Sequence, residues 1–150
     1  MSSGVVGDSV IYKRCAMADT LQLIIITPER EFFRGEATFV EFTTTDGDVG
    51  IFPKHVPTTV VLDPGILRIH NGKENREAAL HSGFAEILPD KITILAEAVE
   101  WPEEIDKNRA EEARIRAERK LEDNAGDGGK AELALKRSVL RIRMAEKEGK

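Results

Sequence analysis

The sequence predicts a two-part chain, an all-β sandwich or barrel followed by an antiparallel pair of helices. Short β-branched runs alternate with turn signals as far as Trp101, at the spacing of about 8–12 residues expected of such folds. Beyond Trp101 the composition shifts to Ala, Glu, Lys and Arg, and no proline follows Pro102. The breaker cluster Asp123–Gly129 (DNAGDGG) then divides this second stretch in two.

Leu21 to Thr27 (LQLIIIT) is a β-prone run closed by Pro28, and Phe32 and Phe33 follow a short turn. Ala37 to Thr45 (ATFVEFTTT) is read as one strand, ended by Asp46-Gly47-Asp48. Thr58 to Leu62 precedes Pro64-Gly65, and Ile66 to His70 precedes Asn71-Gly72, a hairpin signal because both turn residues tolerate positive φ. Glu77 to Leu80, Phe84 to Leu88 and Ile92 to Val99 complete the series, with Pro89-Asp90 between the last two. No helical segment interrupts it, which argues against a parallel βαβ sheet.

The first helix is predicted from Pro102 to about Leu121. Pro102 suits a first helical position, and Glu103, Glu104 and Asp106 place negative charge on the positive end of the helix dipole. The second is predicted from Lys130 to about Lys147, and the short connection implies an antiparallel hairpin. Ala110, Ala113, Ala117 and Leu121 share one face; Ala131, Leu135, Ser138, Ile142 and Ala145 share another. Such small side chains bury little area, so the hairpin is expected to be marginally held and able to move. The predicted division is residues 1–16 as an extension outside the fold, 17–101 as the β module and 102–150 as the hairpin. Met17 is a natural-looking start for the folded part.

Composition excludes several function classes. The net charge is −5 and the C-terminal basic residues alternate with Glu, so no concentrated basic surface for nucleic acid is expected. Cys15 is the only cysteine, which rules out an intramolecular disulfide or a cysteine-based metal site. No apolar run approaches the roughly 20 residues of a membrane-spanning helix, and the first sixteen residues are too polar for a secretory leader. An acid–base or metal group built on Asp46, Asp48 and His55 lacks a nucleophile with its base, a phosphate-cradling glycine loop or HExxH-type spacing.

The hairpin geometry points to an anion. With the loop centred near Gly126, Arg109 lies level with Arg141 or Arg143, and Arg137 and Arg141 share a face at i,i+4 spacing. Asp106 precedes Arg109 by one turn and could orient its guanidinium. Converging arginines call for a neutralising anion, and arginine suits bidentate phosphate contact. A solvated helix face with local Glu–Arg pairs is the alternative.

Several motifs carry a family resemblance. Thr45 to Ile69 (TDGDVGIFPKHVPTTVVLDPGILRI) holds an acidic-Gly turn, a GI-x-P-x-H-x-P loop, a PG turn and an LRI strand. Ser82 to Glu97 (SGFAEILPDKITILAE) carries a Gly-Phe-x-Glu strand and its hairpin, with Ser82 in place of a first glycine. Ile105-Asp106-Lys107-Asn108-Arg109-Ala110 reads I-D-x-x-R-A, and Ala131 to Glu146 (AELALKRSVLRIRMAE) forms the last helix. In this order and spacing, over Leu21 to about Lys147, they resemble the epsilon subunits of bacterial F-type ATP synthases.

The resemblance implies an N-terminal β-sandwich of about ten short strands and a C-terminal helical hairpin. It implies a non-catalytic subunit of the central stalk, or rotor, of a proton- or sodium-translocating ATP synthase. The expected partners are the gamma subunit, the c-ring and the alpha and beta subunits of the catalytic head. The expected location is peripheral, on the cytoplasmic face of a bacterial membrane. In this family the hairpin folds on the sandwich or extends along gamma and inhibits ATP hydrolysis, and in some members ATP holds the folded form. That role is regulatory, with ATP a ligand rather than a catalytic cofactor. The implied nucleotide-binding residues are Glu100, Ile105, Asp106, Arg109, Ala110, Arg137 and Arg141. Asp48 and His55 fall in loops that the resemblance sets against the c-ring; ordinary turn chemistry and a surface or packed histidine are the alternatives. His70 and His81 are read as structural, and Trp101 as packing the hairpin base onto the sandwich. A free-standing ATP sensor with the same site is the rival reading.

Overall fold

The computed structural model describes residues 19–123 and 128–147. The expected extension over residues 1–16 and the expected loop centre at Gly126 lie outside the described residues. Ten strands come first: β1 (Leu21–Ile26), β2 (Glu31–Ala37), β3 (Phe39–Thr44), β4 (Gly47–Ile51) and β5 (Thr58–Leu62), then β6 (Gly65–Asn71), β7 (Glu74–Leu80), β8 (Gly83–Ile87), β9 (Lys91–Ala96) and β10 (Val99–Glu100). A 3-10 turn at Pro102–Glu104 leads to α1 (Lys107–Glu122) and α2 (Gly128–Lys147).

The strands run in the order β10-β7-β6-β3-β5-β8-β9-β1-β2, with β4 paired to the other side of β3. β1 and β9 are parallel; the other pairings are antiparallel. The halves β10-β7-β6-β3-β4 and β5-β8-β9-β1-β2 join at the Thr44–Leu62 pair and form the sandwich. Alternation places Leu23 and Ile25 of β1, Val40 and Phe42 of β3, Leu67 and Ile69 of β6, and Ile92 and Ile94 of β9 in one core, as a sheet with one buried face requires. At Gly83 an added Cβ would lie 2.1 Å from the Leu95 carbonyl oxygen, so only glycine lets β8 approach β9 this closely.

The structure refines the expected strands at several points. The run Ala37–Thr45 is two strands, because Thr38 turns its N–H and its hydroxyl to the His70 carbonyl at 2.7 and 3.0 Å. The strand does end at the acidic-Gly turn, at Thr45–Asp46, but Gly47 and Asp48 open an unexpected strand, β4, that pairs back on β3, with Gly47 at φ +120°. Val99 does not continue β9. The chain leaves β9 at Ala96 and crosses to pair Val99 and Glu100 with Leu80 and Ala79 of β7, which carries Glu100 to the hairpin side.

Helix α1 begins at Lys107, not at Pro102. Ile105 stays extended (φ −83°, ψ 128°) and buries its side chain in a second apolar cluster with Ala79, Leu140, Met144 and Ala145, flanked by Ile66. Asp106 caps the helix, its Oδ1 accepting the Arg109 backbone N–H at 3.2 Å, so it holds the Arg109 main chain rather than its guanidinium. α2 opens two residues before Lys130, within the scatter usual for helix ends.

On α2 the expected stripe is buried at Ala131, Ser138 and Ala145 and half-buried at Leu135 and Ile142. Leu140 and Met144 add a second buried stripe against the sandwich. Four ion pairs reinforce this docking: Lys136–Asp63 at 3.2 Å, Arg141–Glu100 at 2.7 Å, Lys147–Glu77 at 3.1 Å, and Arg137 with Glu97. Trp101 stacks on Phe32 with ring centroids 4.5 Å apart and carries the Arg76 guanidinium 3.7 Å above its ring. It fixes the chain where sandwich passes into hairpin.

Candidate functional site at the sandwich and hairpin junction

A cavity of about 270 Å³ lies where β10, the 3-10 turn, α1 and α2 meet. β10 contributes Glu100, the 3-10 turn Glu104, and the α1 cap Asp106. From α1 come Arg109 and Arg116, with the small side chains of Ala110 and Ala113 leaving room, and α2 supplies Arg141. Arg109 and Arg116 are seven residues apart, two helical turns, and so share a face.

The charges are unequally satisfied. Glu104 is held by Arg30, with Nη2 at 2.9 and 2.7 Å from its two oxygens. The Oε1 of Glu100 accepts from Arg141 Nε at 2.7 Å and His81 Nε2 at 3.0 Å. Burial pushes the Glu100 carboxyl upward, but the His81 and Arg141 hydrogen bonds and the Arg141 charge outweigh it and hold the group at about 2. Asp106 is committed to the α1 cap. Among the described residues neither Arg109 nor Arg116 has an ion-pair partner, and both are exposed at the cavity. The lining carries three carboxylates and three arginines, but Glu104 and Glu100 are ion-paired, which leaves Arg109 and Arg116 beside Asp106 as guanidinium groups suited to a multivalent anion.

The structure therefore brings together Glu100, Asp106, Arg109, Ala110 and Arg141. It chooses Arg141 over Arg143 as the residue opposite Arg109; Arg143 lies instead with Asp63 and Gly65 on another side of α2. Ile105 sits in the apolar cluster and does not line the cavity. Arg137 is also outside the lining: it pairs with Glu97, and its Nε is buried without a hydrogen-bond partner. Sequence reasoning missed Arg116, which its seven-residue spacing from Arg109 could have revealed. It also missed Glu104 and the link from His81 to Glu100.

Asp48 and His55 stand away from this cavity. Asp48 lies opposite Thr43 in the β3–β4 pair and accepts its hydroxyl at 2.7 Å. His55 is half-buried in the loop between β4 and β5, with Nδ1 2.7 Å from the Val56 carbonyl. Among the described residues no group of three or more His, Cys, Asp or Glu is placed to share a metal ion, so Asp46, Asp48 and His55 do not assemble as one. No described helix is long and apolar enough to cross a membrane.

A second surface feature is an apolar row. Val61, Phe84, Leu95 and Ile26 are successive register partners across β5, β8, β9 and β1, and all four are 37–58 % exposed. Register partners point to one side of a sheet, so they form a continuous strip on its outer face.

Sandwich and site together define a two-module protein, a β-sandwich carrying a helical hairpin, with a cavity lined by arginines and carboxylates at the joint. The beta-sandwich domain of the ATP synthase delta/epsilon chain matches residues 20–102, and the long alpha-helix domain of the same chain matches residues 103–146. The ATP synthase epsilon chain of Ruminiclostridium cellulolyticum is 42 % identical over 125 residues, 82 % of this chain and 93 % of that one. That of Shouchella clausii is 42 % identical over 131 residues, 87 % and 98 % of the two chains. In structure, a chain of the Euglena gracilis mitochondrial ATP synthase (OSCP/F1/c-ring) superposes with a TM-score of 0.72 at 21 % identity, over 85 % of this chain and 82 % of that one. The chain belongs to the ATP synthase delta/epsilon chain family, and within it to the epsilon chains.

Proposed function

We propose that this chain is a non-catalytic central-stalk subunit that links gamma to the c-ring and restrains ATP hydrolysis through its hairpin, with ATP bound at the junction cavity stabilising the folded hairpin. The observation that carries the nucleotide reading is the cavity itself. Arg109 and Arg116 from α1 and Arg141 from α2 converge where the hairpin meets the sandwich, with two of the three lacking ion-pair partners among the described residues. A polyphosphate placed there touches both helices, so it stabilises only the folded arrangement. Under population shift, a ligand favours whichever state it binds better. At 100 times its dissociation constant it adds about 2.7 kcal/mol to that state, enough to tip an arm held by a small apolar cluster and partly exposed ion pairs.

The rotor reading is supported by the apolar row Val61-Phe84-Leu95-Ile26, a strip suited to a permanent partner such as gamma. Asp48, near the start of β4 beside the β3–β4 turn, and His55, in the loop after β4, are the proposed c-ring contacts, since turns and loops at the end of a scaffold carry contacts. The proposed location is peripheral to the membrane through the complex.

The test is calorimetric titration of the purified chain with ATP, ADP and GTP, repeated for Arg109→Ala and Arg141→Ala. Heat with the wild type that both variants lose supports the site. Equal heats in all three chains would refute it. Co-purification with gamma and the catalytic subunits distinguishes a stalk subunit from a free-standing sensor.

A further inference from the structure

His81 is the one fully buried histidine among the described residues. It lies in the connection between β7 and β8, where its backbone N–H donates to the Ala98 carbonyl at 3.0 Å. Its ring reaches Glu100 across the β7–β10 pair. An ionised carboxylate only accepts hydrogen bonds, so the hydrogen is on Nε2 and is donated to Oε1 of Glu100 at 3.0 Å. The same oxygen accepts Arg141 Nε–H. Both protein donors thus converge on Oε1, and no hydrogen bond from the described residues reaches Oε2, although Glu100 lines the cavity.

The other ring nitrogen, Nδ1, is buried without a partner. Buried polar atoms are normally satisfied, and an orphan asks for an explanation other than stability. A leucine would fill the same space without it. The single hydrogen bond that the ring makes among the described residues is to a side chain of the cavity. His81 also belongs to the sandwich, whereas Arg141 travels with the hairpin. Only His81 can therefore keep Glu100 oriented when α2 lifts away. Without it, a glutamate on a two-residue edge strand would sample several rotamers.

We infer that His81 is a positioning residue of the junction site: by holding Oε1 from within the sandwich, it presents Oε2 of Glu100 to an amino or hydroxyl donor of the bound nucleotide. This rests on the nucleotide reading above. It makes Glu100 a pre-set acceptor for the base or sugar end of the ligand, separate from the arginines that meet the phosphates.

The test compares His81→Leu and His81→Gln with the wild type in calorimetric titrations with ATP and with inorganic tripolyphosphate. Leucine fills the site without a donor; glutamine keeps an N–H at nearly the reach of Nε2. The expected result is that His81→Leu weakens ATP by about ten- to a hundredfold, the loss that follows removal of a hydrogen bond to a charged group. His81→Gln should stay within about threefold of the wild type. Tripolyphosphate, which has no donor for Oε2, should bind all three chains alike. A purely packing role would instead weaken both ligands together, in step with stability. Wild-type binding of ATP that His81→Leu leaves unchanged, or that both variants weaken equally, would overturn the inference and leave the nucleotide site standing. A wild type that binds neither ligand would remove the site and this role with it.

Discussion

Met144→Ala should detach the hairpin while leaving the sandwich folded. Met144 is fully buried in the second apolar cluster, where the large side chains from the C-terminal part are Ile105, Leu140 and Met144. Full burial of each contributes about 1.5–3 kcal/mol, so the cluster supplies roughly 5–9 kcal/mol before the entropy of ordering the arm is subtracted. Truncating a buried methionine to alanine costs about 2–5 kcal/mol, a large share of that total. None of the lost contacts belongs to the sandwich core. Hydrogen exchange followed by mass spectrometry reads the outcome. Amides of α1 and α2 should exchange at least about thirtyfold faster, the factor corresponding to 2 kcal/mol, while β1 and β9 keep their wild-type protection. Parallel loss of protection in helices and strands would show one cooperative unit and refute the separate docking cluster.

The Glu100 carboxyl is held at about 2 against an ordinary 4.5, so its contribution is fully present above about pH 4.5 and is lost as pH falls through about 2; at about 1.4 kcal/mol per pH unit this is on the order of 3 kcal/mol. Burial opposes but Lys147 and Arg68 prevail to hold Glu77 below its usual range, which acts in the same direction. Hairpin protection should therefore weaken between pH 4.5 and 2, and Glu100→Gln should show a shallower dependence. Asp106→Ala removes the α1 cap and should cost about 1 kcal/mol, read as a lower urea midpoint for the helical signal in circular dichroism. Raising salt from about 0.05 to 1 M shortens the screening length from over 10 Å to about 3 Å; the pairs of Lys136, Arg137 and Lys147 with the sandwich should weaken, with faster exchange in α2 and little change in β9.

Turn chemistry made most of the sandwich legible. Asn71-Gly72 closes β6 on β7 with Gly72 at φ +65°, as its residue types announce. β4 was hidden because Gly47-Asp48-Val49-Gly50 carries one β-branched residue. It is a strand through its register with β3, and Gly50 leaves room for the Phe39 ring, which an added Cβ would meet at 2.6 Å unless the ring moved. Both are tertiary reasons that local propensity cannot carry. On α2 the Ala-rich stripe was readable, but Leu140 and Met144 face a surface formed by β7 and Ile105, and one periodic pattern does not reveal two buried faces. At the site, counting residues back from the loop narrowed the residue level with Arg109 to Arg141 or Arg143, and the docking of α2 decided for Arg141. The partnership of Glu100 with His81 and Arg141 depends on the crossing of β10 to β7 and on how α2 docks. Separations of 19 and 41 residues gave no periodic cue to either contact.

The most direct measurement is hydrogen exchange of residues 128–147 in the purified chain with and without ATP at about 100 times its dissociation constant. A ligand that bridges α1 and α2 at the junction should slow the exchange that proceeds through undocking by about a hundredfold, the equivalent of 2.7 kcal/mol, and Arg109→Ala should abolish the difference. Calorimetric binding of ATP with unchanged protection in α2 would contradict the coupling between the cavity and the fold of the hairpin.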